Sequence, residues 1–275
     1  MINIYGTIGY THLIHDNKKK DIIVYSDRHD SLQKCQDYIT IGNYFKSKFK
    51  KSIILLEEVD RDENEDLKEL WPLSDHTQEL KNLYIQNNKI IEPIDIRPIL
   101  INYSLSNEII NKVNANDKKI TLYQYLTLID DFFSLKNTYC NKKLNEFYTY
   151  DYLNKNMLGK HYLYIKKQYE LFLNSYRELM YNQIDSFDIY TLNLLENSIN
   201  KILDNAMEWY TCAIIYKYKK PIIIHTGLYH SEKILNLLKT YYNYSIKNEF
   251  GINSMNELDS NLGCIKLPKI IDEEF

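Results

Sequence analysis

Residues 21–30 have the sequence DIIVYSDRHD, in which an aliphatic run stops at four polar residues. The run Asp21–Ser26 has the continuous apolar pattern of a strand that is covered on both faces, as in a parallel sheet. Asp30 has the position of a helix N-cap, with a glutamine three residues later. The pattern therefore predicts a strand, a turn that carries Asp27-Arg28-His29, and a helix that ends near Lys48–Lys51.

Other short aliphatic runs predict further strands of the same kind. They are Ile2–Tyr5, Ile53–Leu56, Ile90–Ile96, Pro221–Ile224 and Cys264–Leu267, and a helix is predicted over Ser231–Tyr242. Between about 101 and 220 the chain is polar and rich in tyrosine, with the spacing of amphipathic helices over Leu122–Leu135, His161–Tyr181 and Ile189–Tyr218. Trp71–His76 is predicted to be a loop.

Together these patterns predict an α/β fold, with a mainly parallel sheet flanked by helices and a helical insertion. The sheet is expected to come from both ends of the chain, residues 1–100 and 221–275. Residues 101–220 are expected to form the insertion, which would act as a cap.

The composition limits the class of protein. The 275 residues carry a net charge of -3, and 44% of them are hydrophobic. This content indicates a globular chain, whereas a general nucleic-acid binder would usually be basic. The sequence has no apolar run near 18 residues, and its first ten residues lack the pattern of a secretion signal. We therefore expect a cytoplasmic protein, without a nucleic acid or a membrane as its partner.

The cysteines follow no recognisable pattern. Cys35, Cys140, Cys212 and Cys264 are widely separated, and none belongs to a CxxC motif. This spacing favours neither a zinc knuckle nor a dense disulfide framework. Buried free thiols in a reducing compartment are the expected state.

Ionisable side chains follow four of the predicted strands. In an open parallel sheet, ligands bind beyond the carboxyl ends of the strands. We therefore expect these residues to converge in one cleft. The candidate catalytic residues are His29, Glu57, Glu58, Arg97 and His230, and the candidate binding residues are Asp27, Arg28, Asp95, His225 and Tyr229.

These residue types fit two kinds of chemistry. His29, Glu57 and His230 form a nitrogen and oxygen ligand set that suits a divalent metal, namely zinc, manganese or iron. Such a metal would polarise a carbonyl group or activate a bound water. Without a metal, a histidine or glutamate could act as general base while an arginine stabilises an oxyanion. A purely structural role for part-buried histidines is the third interpretation.

The same motifs resemble an uncharacterised family of large nucleocytoplasmic DNA viruses. The shared features are a D-x-H strand end with a cysteine beyond it, a strand that ends in LE, a D-x-R-P segment and a late G-x-x-H. Here they are Asp27–His29 with Cys35, Leu56–Glu58, Asp95–Pro98 and Gly227–His230. The viral proteins tend to have an acid between this glycine and histidine, where the present chain has Leu228.

More distantly, the pattern resembles the superfamily of TraB/PrgY, Tiki proteases, erythromycin esterases and the haem-binding lipoprotein ChaN. That resemblance implies a sandwich with histidines and a glutamate at one cleft, which in some members binds a metal. The viral resemblance implies a location in the host cytoplasm or the virion.

Three functions remain open from the sequence. The leading hypothesis is a hydrolase-like enzyme, with or without a metal, that acts on a small molecule or a peptide. The alternatives are a catalytically inactive viral structural or host-interaction protein of the same fold, and a binder of a small ligand or haem. Leu228 favours the alternatives, whereas the presence of both His29 and His230 favours the enzyme.

Overall fold

A computed structural model describes residues 1–15, 17, 20–30, 32–60, 74–88, 90–101, 120–257 and 263–268. The chain divides into two compact units, one made of Met1–Asp95 with Ile214–Phe275 and the other of Ile96–Ala213. The first unit combines strands with helices, and the second is mainly helical. The predicted α/β class, with a mostly parallel sheet flanked by helices, is confirmed.

The strands and helices of the described residues are as follows. The strands are β1 (Ile2–Tyr5), β2 (Gly9–His15), β3 (Ile22–Asp27), β4 (Tyr38–Thr40), β5 (Ile53–Leu56), β6 (Ile91–Pro93), β7 (Ile222–Gly227), β8 (Tyr244–Gly251) and β9 (Cys264–Leu267). The α-helices are α1 (Ile41–Lys46), α2 (Asp75–Gln86), α3 (Arg97–Leu100), α4 (Leu122–Tyr125), α5 (Thr127–Phe133), α6 (Thr138–Leu144), α7 (Tyr150–Leu153), α8 (Met157–Ser175), α9 (Ile189–Lys217) and α10 (Leu228–Tyr242). Short 3-10 turns cover Asn145–Tyr148, Arg177–Leu179, Ile184–Ser186 and Met255–Glu257.

The first unit contains a six-stranded and a three-stranded sheet. The larger sheet has the order β6-β5-β7-β3-β2-β8, and the smaller has the order β4-β1-β9. In the larger sheet β6, β5, β7 and β3 run parallel, while β2 pairs antiparallel with both β3 and β8. The register sets Asp27 beside Gly227 and Leu56 beside His225. The carboxyl ends of β3, β5 and β7 therefore lie side by side.

The central strands are buried because their sequences are apolar on both faces. Every residue of β3 and β7 is buried, as are the last three residues of β5. Ile23, Tyr25, Ile54 and Ile223 belong to one apolar cluster, which also includes Phe45 from α1. This burial explains why the aliphatic runs predict these strands so directly.

The second unit is packed around one tryptophan. Trp209 on α9 is fully buried, and its indole nitrogen donates a hydrogen bond to the Leu158 carbonyl oxygen at 3.0 Å. The rings of Phe132, Tyr148 and Tyr162 surround it, with centroids 5.1–6.0 Å from the indole. The tyrosine-rich sequence thus supplies the aromatic core of this unit. Among the described residues, no helix is long and apolar enough to cross a membrane.

The structure corrects the helix predicted after Asp30. Residues 32–37 are irregular, Tyr38–Thr40 forms β4, and the helix α1 begins only at Ile41. Strand β4 pairs with β1, which suits its aromatic and β-branched residues. The hydroxyl of Thr40 then caps α1 by accepting a hydrogen bond from the Asn43 amide at 3.3 Å.

The structure also corrects the expected state of two cysteines. Cys35 and Cys264 form a disulfide across 229 residues of sequence. Cys140 and Cys212 are buried free thiols, as predicted. The tertiary fold brings the segment before β4 next to β9 and so allows this pairing. The spacing of the cysteines in the sequence does not predict it.

A buried histidine makes the stability of the protein depend on pH. His161 on α8 is 3% exposed, and burial lowers the pKa of its ring to about 4 from 6.5. Because the unfolded chain binds the proton more readily, the folded state loses stability as the pH falls from 6.5 towards 4. We expect a loss of about 3 kcal/mol from this group, measured by denaturant unfolding at pH 6.5 and 4.

The control for this prediction is His161→Leu, which removes the titrating ring. Carboxylates titrate in both proteins, so only the difference between the two pH profiles reports His161. Parallel profiles of wild type and variant would contradict the prediction.

Candidate functional site

Asp27, at the end of β3, forms a fully buried pair with a histidine. Its Oδ2 accepts a hydrogen bond from Nε2 of His76 at 2.8 Å, and neither side chain is exposed. The other ring nitrogen of His76 lies 3.0 Å from the Ser74 hydroxyl. Both ring nitrogens of His76 therefore have polar partners, which fixes the ring beside the carboxylate.

His29 lies between two carboxylates. Its Nδ1 is 3.6 Å from Asp27 Oδ2, and its Nε2 is 3.4 Å from Glu57 Oε2. The side chain is 25% exposed, although both ring nitrogens are shielded from solvent. Both distances are longer than those of ordinary hydrogen bonds.

Glu57 joins three elements at this edge of the sheet. It follows β5, and its side chain is only 3% exposed. Its Oε2 accepts a hydrogen bond from the amide of Gly227 at 2.7 Å, and its Oε1 lies 3.8 Å from Nε2 of His230. Because Gly227 ends β7 and His230 lies in the first turn of α10, one carboxylate contacts both elements as well as His29. We call Asp27, His29, Glu57, His76 and His230 the His29 cluster.

The absence of a side chain at Gly227 makes room for His29. A Cβ atom at this position would lie 2.8 Å from Nε2 of His29 and 3.5 Å from Oε2 of Glu57. The backbone of Gly227 has φ -54° and ψ 148°, which other residues adopt readily. A side chain at this position would therefore crowd the ring of His29.

Gly227→Ala should displace the His29 ring while leaving the protein folded. The new methyl group meets the end of a partly exposed side chain, so we expect a change of less than about 1 kcal/mol in the free energy of unfolding. The ring signals of His29 in the NMR spectrum should shift as the ring leaves Glu57.

Gly42→Ala is the control, since its Cβ would meet Glu79, outside the His29 cluster. Unchanged His29 signals in the Gly227 variant would rule out the proposed crowding. Loss of the fold in the Gly227 variant would show that the backbone at this position does not accept a side chain, even if the His29 ring can move.

His225 has a structural position beside the cluster. It is buried on β7, and its Nε2 donates a hydrogen bond to the carbonyl oxygen of Gly6 at 2.9 Å. Burial lowers the pKa of this ring, which favours the neutral form. Gly6 has φ +95°, and a Cβ there would lie 2.8 Å from the Cβ of His76. This glycine therefore allows the chain to turn close beneath two histidines.

Four other predicted site residues have contacts outside the cluster. The Arg28 guanidinium lies 2.8 Å from the exposed carboxylate of Asp30. Tyr229 is 42% exposed, with the Lys233 ammonium 4.2 Å from its ring centroid. Glu58 is half-buried, and its carbonyl oxygen accepts a hydrogen bond from the amide of Asp95, which is buried.

Arg97 begins α3 in the second unit. Its Nη1 lies 3.1 Å from Oδ1 of Asp204, and both side chains are largely buried. This ion pair lies within the helical unit. The D-x-R-P segment thus spans the boundary between the two units, with Asp95 in the first and Arg97 in the second.

The predicted metal ligands are close together but contact one another. His29 and His230 approach different oxygens of Glu57, at 3.4 and 3.8 Å. In the described parts of the chain, no group of three or more His, Cys, Asp or Glu side chains is arranged to hold a metal ion. This arrangement does not fit a metal as it stands, and metal binding stays a prediction.

His76 is the residue that the sequence analysis misses. It lies on α2, in a segment predicted to be a loop, of which residues 71–73 lie outside the described residues. Ser74 precedes α2, and its amide donates a hydrogen bond to the Thr77 hydroxyl at 2.8 Å. A serine directly before an acidic residue, here Asp75, is a helix-start signal, and it could have placed His76 on a helix.

Comparison of the chain with protein-family models, curated proteins and solved structures gives no match.

Proposed function

We propose that the chain is a hydrolase-like enzyme in which His29 transfers the proton. The observation that carries this proposal is the His29 ring between two buried carboxylates, with a quarter of its side chain exposed. Two carboxylates beside an imidazole stabilise the positive charge that forms when the ring accepts a proton. This is the arrangement expected of a general base that must become a cation during the reaction.

The exposed edge of the ring gives His29 a path to a substrate. Its nitrogens are shielded in the present conformation, and both contacts, at 3.4 and 3.6 Å, are longer than ordinary hydrogen bonds. After a turn about its side-chain bonds, one nitrogen could accept a proton from water or from a substrate hydroxyl. Such contacts in a ligand-free site often tighten only in the complex with substrate.

The remaining cluster residues would position His29 and balance its charge. His76 holds Asp27 at 2.8 Å, and the Gly227 amide holds Glu57 at 2.7 Å. Asp27 Oδ1 is buried without a hydrogen-bond partner among the described residues. A buried acceptor of this kind is costly in a purely structural site, and it supports a functional role.

The substrate class that we propose is a small ester, amide or peptide. The proton transfer proposed for His29 uses the imidazole itself as the base. We also propose that the chain belongs to the viral family that its motifs resemble. Its location would then be the infected-cell cytoplasm or the virion.

The test is hydrolysis of a panel of ester, lactone and peptide substrates by the full chain. His29→Ala should lower the rate at least about 10²-fold, with little change in thermal stability. Asp30→Ala is the matched control, since Asp30 is an exposed neighbour of His29 in sequence. Assays with and without a chelator report any metal requirement. Equal rates for wild type and His29→Ala would refute the proposed role.

A second function, a non-catalytic protein of the same fold, is favoured by one observation. Both nitrogens of His29 are shielded, so the ring in this conformation serves as a counter-charge for Asp27 and Glu57. Under this alternative, His29→Ala lowers stability because two buried carboxylates each lose one of their polar neighbours. Thermal unfolding of the same variant therefore separates the two functions.

A further inference from the structure

The segment that follows His29 is held by hydrogen bonds, one ion pair and one disulfide. The Tyr5 hydroxyl donates a hydrogen bond to the Leu32 carbonyl oxygen at 3.4 Å, and the Lys34 ammonium lies 3.1 Å from the Asp75 carboxylate. Residues 32–37 contain no helix and lead from the cluster to β4. The Gln33 carbonyl oxygen accepts a hydrogen bond from the Gly263 amide at 3.1 Å, and the Gln36 carbonyl oxygen accepts one from the Asn3 side chain at 2.9 Å. The covalent tie is the disulfide from Cys35 to Cys264 on β9.

Apolar packing connects this disulfide to the His29 cluster. Leu32, Tyr5 and Leu228 belong to one small buried group, and Cys264 packs against it. Leu228 follows Gly227, the residue whose amide binds Glu57 and whose missing side chain leaves room for His29. Movement of the segment 32–37 would therefore remove support from beside His29.

The four cysteines differ in accessibility. Cys35 and Cys264 are both half-buried, and Cys35 lies between the exposed residues Lys34 and Gln36. Cys140 and Cys212 are fully buried free thiols. The disulfide is therefore nearer to solvent than the two buried thiols, and thiol–disulfide exchange depends on such access.

We propose that Cys35–Cys264 is a thiol–disulfide exchange site that regulates the His29 cluster, with a dithiol as its reductant. Its role as a regulator rests on the hydrolase function proposed above. Reduction releases the segment 32–37 and loosens the packing beside His29, and oxidation restores both.

The exchange proceeds in two steps. A thiolate of the dithiol attacks one cysteine sulfur, the disulfide bond breaks, and the other cysteine leaves as a thiolate that takes a proton. The second thiol of the reductant then attacks the mixed disulfide and releases the remaining cysteine, which is also protonated. Two electrons pass from the dithiol to the protein, and the dithiol becomes a disulfide.

The test uses the full chain before and after treatment with dithiothreitol under native conditions. A thiol titration should count two new thiols, because Cys140 and Cys212 stay buried. Hydrogen exchange of residues 28–37 should become at least about fivefold faster, as expected for a segment that has lost its tie. Residues 162–172 of the helical unit serve as an internal reference and should not change.

Cys35→Ser with Cys264→Ser is the control variant. It should resemble the reduced wild type and should not respond to dithiothreitol. If the disulfide resists dithiothreitol in the folded protein, the exchange site is refuted. If two thiols appear while exchange of 28–37 stays within twofold, the release of the segment is refuted.

Rates of hydrolysis separate this proposal from the proposed function. A rate that changes on reduction in the wild type, and not in the double variant, supports regulation. A constant rate with a released segment refutes regulation and leaves the hydrolase intact. Absence of hydrolysis in both redox states refutes the hydrolase and, with it, the regulatory role. In that case the thiol titration still decides whether the disulfide undergoes thiol–disulfide exchange, and hydrogen exchange still decides whether the segment is released.

Discussion

Asp27→Ala is expected to lower the free energy of unfolding by about 3 kcal/mol, because it leaves a buried hydrogen-bonding group of His76 unsatisfied. Asp27 has no exposed surface, and it accepts the hydrogen bond of an equally buried His76 at 2.8 Å. Without the carboxylate, the ring of His76 stays buried while its Nε2 loses its partner. Denaturant unfolding at neutral pH measures the loss.

Two further variants distinguish the loss of the Asp27–His76 interaction from the loss of side-chain volume. His76→Leu alone removes the ring and leaves Asp27 buried, and the double variant Asp27→Ala with His76→Leu leaves neither polar group unpaired. The double variant should lose less than the sum of the single losses, by about 0.5–3 kcal/mol. Additive losses would show that the two side chains are not energetically coupled.

Replacing Cys35 and Cys264 together by serine is expected to lower the free energy of unfolding by about 5 kcal/mol. The disulfide closes a loop across 229 residues, and the chain-entropy account predicts a large effect for so long a loop. Native disulfides of this kind typically contribute about 2–5 kcal/mol. Denaturant unfolding of wild type and double variant gives the difference.

Dithiothreitol provides the control for this second prediction. It should destabilise the wild type to nearly the level of the double variant and should leave the variant unchanged. A loss below about 1 kcal/mol in both measurements would mean that strain in the native bridge offsets its entropic effect.

The sequence predicts the centre of the sheet because the central strands have a simple physical pattern. Continuous aliphatic runs at 22–24, 53–56 and 222–224 suit strands that are buried on both faces. The carboxyl ends of parallel strands lie at the same edge of a sheet. Asp27, Glu57 and Gly227, which lie at or just beyond such ends, are therefore expected to be close together. That part of the candidate site follows from local sequence and general topology.

Other features depend on contacts between distant parts of the chain. Strands β2 and β8 mix polar and apolar residues, and β2 contains two histidines, so their sequences lack a clear strand pattern. His76 reaches Asp27 from 49 positions away, and Cys35 reaches Cys264 across 229. Such pairings arise from tertiary packing, and a single sequence holds no local signal for them.

The strand order also has a consequence for how the chain folds. Strand β7 lies between β5 and β3, although it begins only at Ile222. Strands β3 and β5 are synthesised early. The edges by which they pair with β7 stay unpaired until β7 has been synthesised. Because such long-range pairing is slow and leaves strand edges exposed, the nascent first unit should depend on chaperones until residue 227 has left the ribosome.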